Sequence, residues 1–266
     1  MPLIRAGYKL IHYSAFGPTT GARETFIFAH GLGSSQNYYG AVIPRLTAEN
    51  LRCIALDTTG SARSPPTCIE QSVETLAEDV INVMDALSVD KAVFVGHSMA
   101  GMTGPQLAAQ YPTRITALVL IGPVYPQKDV AATFEQRIAA VEKGGMEVMA
   151  STVPYAAVGS RAQPIHSAFI RELLMGQTVA GYVGMCKVIA TAWQSPPAYD
   201  RVQCPLLVIA GEEDKSTPMA MANRIVKEVG SEEKLLTMLH GVGHWQCIEA
   251  PDEVAEAIVS FYKQIS

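Results

Sequence analysis

Little of this 266-residue chain is charged: Asp, Glu, Lys and Arg make up 17% of it, and 20 basic residues against 25 acidic ones leave a formal net charge of −5. It has no run of Lys or Arg, which argues against nucleic acid or an anionic membrane as partner. No apolar stretch approaches the roughly 18 residues of a membrane span. The opening Met1-Pro-Leu-Ile-Arg lacks the apolar core of a secretory signal. Cysteines are few and odd in number: Cys53, Cys68, Cys186, Cys204 and Cys247 are widely spaced, without C-x-x-C. That excludes a disulfide frame or zinc site and predicts reduced, mostly buried thiols. Together these features predict a soluble cytoplasmic protein. What is plentiful is apolar: 48% of residues are hydrophobic, enough for a core that needs no covalent staple and too much for a disordered chain.

Short β-branched apolar runs at 25–30, 51–57, 91–97, 115–122, 205–211 and 234–240 read as strands. Their near-continuous hydrophobicity predicts burial on both faces of a parallel sheet. A strand or hairpin at 8–16 can supply an antiparallel edge. Between them, 72–87 puts Leu76, Val80, Val83, Met84 and Leu87 on one helical stripe behind Ser72 as N-cap. A second helix covers 99–110, a third covers 219–229 with Gly230 as its C-cap signal, and the last starts at Pro251. This alternation predicts a doubly wound α/β sheet. The rhythm breaks between Pro123 and Arg201, where helical patches at 131–143, 145–152, 166–175 and 179–192 occur without a strand. A helical insertion leaving after one strand and returning before the next would lie over one end of the sheet.

Ser98 sits between a predicted strand and a predicted helix, in Gly96-His97-Ser98-Met99-Ala100-Gly101. That is the context of a nucleophile elbow, a sharp turn that lifts a serine hydroxyl clear of the sheet. The Met99 N–H would then face a developing oxyanion at a helix N-terminus. The pentapeptide G-x-S-x-G alone is weak evidence, and its fifth position here is Ala100; an ordinary capping serine fits the same pattern. A serine needs a base, and in the order Ser, acid, His the partners lie downstream. Asp214, in Gly211-Glu-Glu-Asp214-Lys-Ser-Thr-Pro218, and His244, in His240-Gly-Val-Gly-His244-Trp245, each follow a predicted strand. Glu212 and Glu213 are rival acids; spacing favours Asp214, with Glu213 as fallback. His30-Gly31-Leu32-Gly33-Ser34-Ser35 also follows a strand, and its Leu32 N–H is the best placed second oxyanion donor. It lacks G-x-G-x-x-G and a Walker lysine, so phosphate binding is not expected. Asp57 precedes the serine in sequence and reads as a turn-organising carboxylate.

With these motifs in order, the chain resembles the capped α/β-hydrolases over its full length, and within them it is most similar to the 3-oxoadipate enol-lactonase group. The residues that carry the second likeness are the opening Met1-Pro-Leu-Ile, the His30–Ser35 loop, and the segments 136–146 and 181–186 (QRIAAVEKGGM and GYVGMC). Departures are Ala100, Ala62 where a second glycine is usual, and the apolar Ile189-Ala-Thr-Ala-Trp193. The resemblance implies an α/β-hydrolase core at 1–123 and 201–266, and a helical cap at 124–200 inserted after the sixth strand. It implies hydrolysis of a small lactone or carboxylic ester by Ser98, His244 and Asp214, with Leu32 and Met99 as the oxyanion hole and no metal or organic cofactor. Met102, Tyr125, Tyr155, Met185, Ile189, Trp193 and Trp245 are candidates to line the pocket. Met185, Ile189 and Trp193 favour a neutral or aromatic guest, because a carboxylate would want a cation. The same motifs also serve C–C hydrolases, lactamases and lyases or cyclases, and a receptor-like fold that binds without turnover. The chain is compatible with a monomer or a homodimer.

Overall fold

The computed structural model describes residues 3–266, so Met1 and Pro2 of the opening segment lie outside the described residues. In chain order the elements are β1 (Leu3–Ala6), β2 (Lys9–Phe16), β3 (Thr25–Ala29), α1 (Ile43–Ala48), β4 (Arg52–Leu56), α2 (Val73–Ala86), β5 (Ala92–His97), α3 (Ala100–Gln110) and β6 (Ile115–Ile121). Five helices then follow without a strand: α4 (Lys128–Gly144), α5 (Glu147–Ala150), α6 (Val153–Ala156), α7 (Pro164–Met175) and α8 (Val179–Thr191). The chain returns through β7 (Leu206–Gly211), α9 (Met219–Glu228), β8 (Lys234–Leu239), α10 (Gln246–Glu249) and α11 (Pro251–Ile265).

The eight strands form one sheet in the order β1-β2-β4-β3-β5-β6-β7-β8. Strands β3 to β8 pair in parallel, and the β1–β2 hairpin adds the antiparallel edge through β2 and β4. Alternate residues serve opposite layers: Phe26, Phe28, Val93 and Val95 enter one core, and Ile27, Ala29 and Phe94 the other. That division is the period-two consequence of a sheet covered on both faces. It holds for β3, β5, β6 and β7, which are buried almost throughout. Strand β8 departs from the expectation. It is the outer strand, with one neighbour only, and Leu235, Leu236 and Met238 stay partly exposed.

Helix α2 starts as its sequence requires, with Ser72 accepting from Thr75 N–H and Thr75 reciprocating in a capping box. Pro251 opens α11, followed by Asp252 and Glu253 at the positive end of the dipole. The C-cap expected of Gly230 is not formed: α9 closes on Val229 in extended backbone. Gly230 is small for another reason, since a Cβ there would stand 2.1 Å from the Asp200 carbonyl oxygen. All five cysteines are free; Cys53, Cys186 and Cys247 are buried and Cys68 is exposed. Among the described residues no single helix is long and apolar enough to cross a membrane.

Candidate active site

The sheet changes winding direction at β3 and β5, which are neighbours whose outgoing connections run to opposite sides. A crevice must open at the carboxyl ends of two such strands. The loop after β3 carries Leu32, and the turn after β5 carries Ser98. Ser98 has φ 52°, in the left-handed region, a conformation that costs a side-chain-bearing residue on the order of 1–2 kcal/mol. The turn is held by its own hydrogen bonds: Ser98 N–H donates to Ile121 O at 2.9 Å, and Val124 N–H donates to Ser98 O at 3.1 Å. The β3 loop presses against it so closely that a Cβ on Gly31 would lie 2.7 Å from Ser98 Cβ. Ala100 fits the fifth elbow position because it is the first residue of α3 and its methyl group enters the core.

Two loops from neighbouring strand ends complete the arrangement. His244 Nε2 lies 2.9 Å from Ser98 Oγ, and His244 Nδ1 lies 2.8 Å from Asp214 Oδ2. Asp214 is 5% exposed yet well supplied with donors. Ser216 and Thr217 N–H donate to Oδ1 at 2.8 and 2.9 Å, and the Thr217 hydroxyl and Gln246 Nε2 donate to Oδ2 at 2.6 and 3.2 Å. Burial alone would raise this carboxyl's pKa, but the His244 charge and the hydrogen bonds from His244 and Thr217 outweigh it and hold the pKa below the usual value. Asp214 is therefore ionised, and its acceptor oxygen places the proton of a neutral His244 on Nδ1, leaving Nε2 free to accept from Ser98.

The rival acids lie elsewhere. Glu213 accepts from Ser160 N–H and Oγ at 2.7 Å, and Glu212 accepts from Gly241 N–H at 3.0 Å. Asp57 organises a turn: its oxygens accept from Gln36 N–H, the His12 ring and Arg63 N–H. Among the described residues neither Leu32 nor Met99 N–H donates to a backbone carbonyl. Both N–H groups belong to the two loops that meet at Ser98.

A cavity of about 500 Å³ opens on Ser98 and His244 between the sheet end and the inserted helices. Of the sequence candidates, Ile189 and Trp245 line it; Met102, Tyr125, Tyr155, Met185 and Trp193 do not. Met102 and Met185 instead belong to a separate buried apolar cluster with Met99 and Val188. Tyr125 stacks on Tyr199 and donates to Glu228, Tyr155 is 68% exposed, and Trp193 lies at the surface beneath Lys128. Helical periodicity marks buried positions but does not tell core from cavity, so these five were not separable in sequence. Among further wall residues that the sequence does not single out are Val130, Phe134, Arg137, Met149, Leu174 and Tyr182. Arg137 lies in the 136–146 segment, but α4 also carries Lys128, Asp129, Glu135, Glu142 and Lys143, so its sequence does not mark this one charge as facing a cavity. Its guanidinium lies over the Phe134 ring at 5.1 Å and beside the Tyr182 phenol, whose pKa burial pushes up to about 12.

A family model described as alpha/beta hydrolase fold matches residues 24–251 of this chain. The chain is 28% identical over 214 residues to 3-oxoadipate enol-lactonase 2 of Acinetobacter baylyi, which covers 79% of this chain and 78% of that protein. It is 24% identical over 259 residues to RutD of a Caulobacter species, a protein provisionally named a carbamate hydrolase, covering 94% and 95% of the two chains. Among solved structures, the enol-lactonase of Burkholderia xenovorans superposes with a TM-score of 0.91 at 24% identity, covering 98% of this chain and 100% of that one. That last similarity is one of fold.

Proposed function

The chain belongs to the alpha/beta hydrolase fold family, and from that premise we propose that it is a serine hydrolase of a small lactone or carboxylic ester acting through an acyl-enzyme. The observation that carries this reading is the hydrogen-bonded series Asp214, His244, Ser98 at the wall of the cavity. In this reading Ser98 Oγ attacks the substrate carbonyl carbon while His244 Nε2 takes the hydroxyl proton. Asp214 keeps the imidazole in the required tautomer and stabilises the imidazolium. The Leu32 and Met99 N–H groups receive the tetrahedral oxyanion, each contributing about 3 kcal/mol to the barrier reduction. The carbon–oxygen bond then breaks as His244 returns its proton to the leaving oxygen. Water attacks the acyl group with His244 again as base, and Ser98 is released.

Residues 124–200 act as a cap that closes the cavity over a core of 3–123 and 201–266. Five free thiols support a reducing compartment such as the cytoplasm. Relatives named as an enol-lactonase and a carbamate hydrolase support a hydrolase acting on a carbonyl–heteroatom bond. For the guest, the geometry favours an anionic group over the neutral one that Met185, Ile189 and Trp193 pointed to. Two of those three do not reach the cavity, whereas Arg137 and Lys215 line it, and Arg137 forms no ion pair among the described residues. A carboxylate matches that charge.

The test is a hydrolysis panel of aryl esters and small lactones, each with and without a carboxylate, on wild type and Ser98→Ala. We expect turnover of lactones or esters, faster for the carboxylate-bearing members, and its loss in Ser98→Ala with the fold retained. Wild-type-like turnover in Ser98→Ala would sink the mechanism.

A further inference from the structure

One buried carboxylate near the site has no part in the chemistry proposed above. Glu249, at the end of α10, is 6% exposed and forms no ion pair among the described residues. Its oxygens instead collect three backbone N–H groups. Gly243 donates to Oε2 at 3.0 Å and Trp245 to Oε1 at 3.0 Å, one on each side of His244. The third donor, Gly159 N–H at 2.7 Å to Oε2, comes from the segment between α6 and α7, part of the inserted helices. The same segment also takes the remaining backbone donor, since His244 N–H donates to Ala157 O at 2.8 Å. On the other side His97 Nε2–H donates to His244 O at 2.9 Å. The backbone around His244 is thus fixed between α10, the elbow strand and the inserted helices, and Glu249 joins α10 to both the histidine loop and the insertion.

We propose that Glu249 is a positioning residue that couples the inserted helices to His244, so that the placement of the cap segment at residues 157–159 sets the aim of the imidazole at Ser98. A carboxylate is needed because both of its oxygens accept. An amide offers one acceptor, and its NH₂ would face N–H donors, leaving at least one of the three amides buried and unpaired. The catalytic half of this proposal rests on the serine hydrolase reading; the coupling half does not.

Glu249→Gln separates the two. We expect the variant to fold and to lose about 10²-fold in kcat, the scale of a 1 Å misplacement, while KM stays within about twofold because Glu249 does not line the cavity. Hydrogen exchange should quicken together at Gly159, Gly243 and Trp245. A purely structural role would lower the melting temperature and leave kcat per folded molecule unchanged, which would overturn the positioning claim. Faster exchange at Gly243 and Trp245 with Gly159 unaltered would overturn the coupling, with or without measurable turnover. If Glu249→Gln does not fold, Glu249→Asp keeps the carboxylate but shortens its reach. The same joint loss of protection and the same kcat-only defect are then expected, and their absence counts against the proposal. Turnover that survives Ser98→Ala would remove the hydrolase reading alone, and the exchange measurement would still decide the coupling.

Discussion

Asp214 shows how much of this site depends on one side chain. Five donors converge on it, and one of them is the histidine. Replacing it with Asn keeps the volume but removes the charge and one acceptor, and the imidazole loses the partner that fixes its tautomer. We predict that Asp214→Asn lowers kcat by about 10⁴-fold, measured by initial rates on the best substrate of the panel; activity within tenfold of wild type would move the acid role elsewhere. The same carboxylate makes a pH statement. Its pKa is held below the ordinary value in the fold, so its ionised form stabilises the fold at pH above that ordinary value, and the contribution is lost as pH falls through the lowered folded value. The melting-temperature gap between wild type and Asp214→Asn should therefore narrow below about pH 4. A gap independent of pH would show that the Asn variant is destabilised by packing instead. His97 completes the residue picture: burial, with the His244 charge next, holds its pKa well below the usual histidine value, so it stays neutral and serves as a donor to His244 O.

At the scale of elements, the turn after β4 carries a testable oddity. Ala62 has φ 49°, which explains why a glycine is usual at that place in the resembling sequences. Its N–H donates to Gln177 Oε1 at 3.1 Å, tying the turn to the start of α8. Ala62→Gly should relieve strain worth about 1 kcal/mol, partly offset by the entropy glycine adds to the unfolded chain. We expect a small rise in stability by urea denaturation; a loss of about 1 kcal/mol, as in a helix interior, would contradict the strain. The elements themselves were largely legible in the sequence. The strands β3 to β7 announce themselves by continuous apolar runs, α2 by Ser72, and the elbow by a serine between strand and helix. Less legible was anything set by contacts across the chain. Whether β8 has one neighbour or two, why Gly230 is a glycine, and which of Met102, Met185, Ile189 and Trp193 faces a cavity all depend on residues remote in sequence. The three members of the Ser98 series were visible because each follows its own strand, whereas Glu249 and Arg137 acquire meaning only from the loops and helices brought to them.

At the scale of the whole molecule, the sheet order gathers the carboxyl ends of β3, β5, β7 and β8 at one rim, and Leu32, Ser98, Asp214 and His244 come from the loops that leave them. The five inserted helices close the same rim, so the cavity is walled by core on one side and insertion on the other. Scaffold and candidate site are separable in such an arrangement, because the central strands β3, β5, β6 and β7 are buried on both faces while Ser98, Asp214 and His244 stand on loops. If Ser98 carries the acyl group, that group can be captured on it. Wild type and Ser98→Ala would be mixed with an activated aryl acetate, quenched in acid within the first turnover, and the peptides mapped by mass spectrometry. We expect a burst of released phenol and one acetyl group on the peptide holding Ser98 in wild type, and neither in Ser98→Ala. Acetyl on another residue, or an undiminished burst in Ser98→Ala, would contradict it.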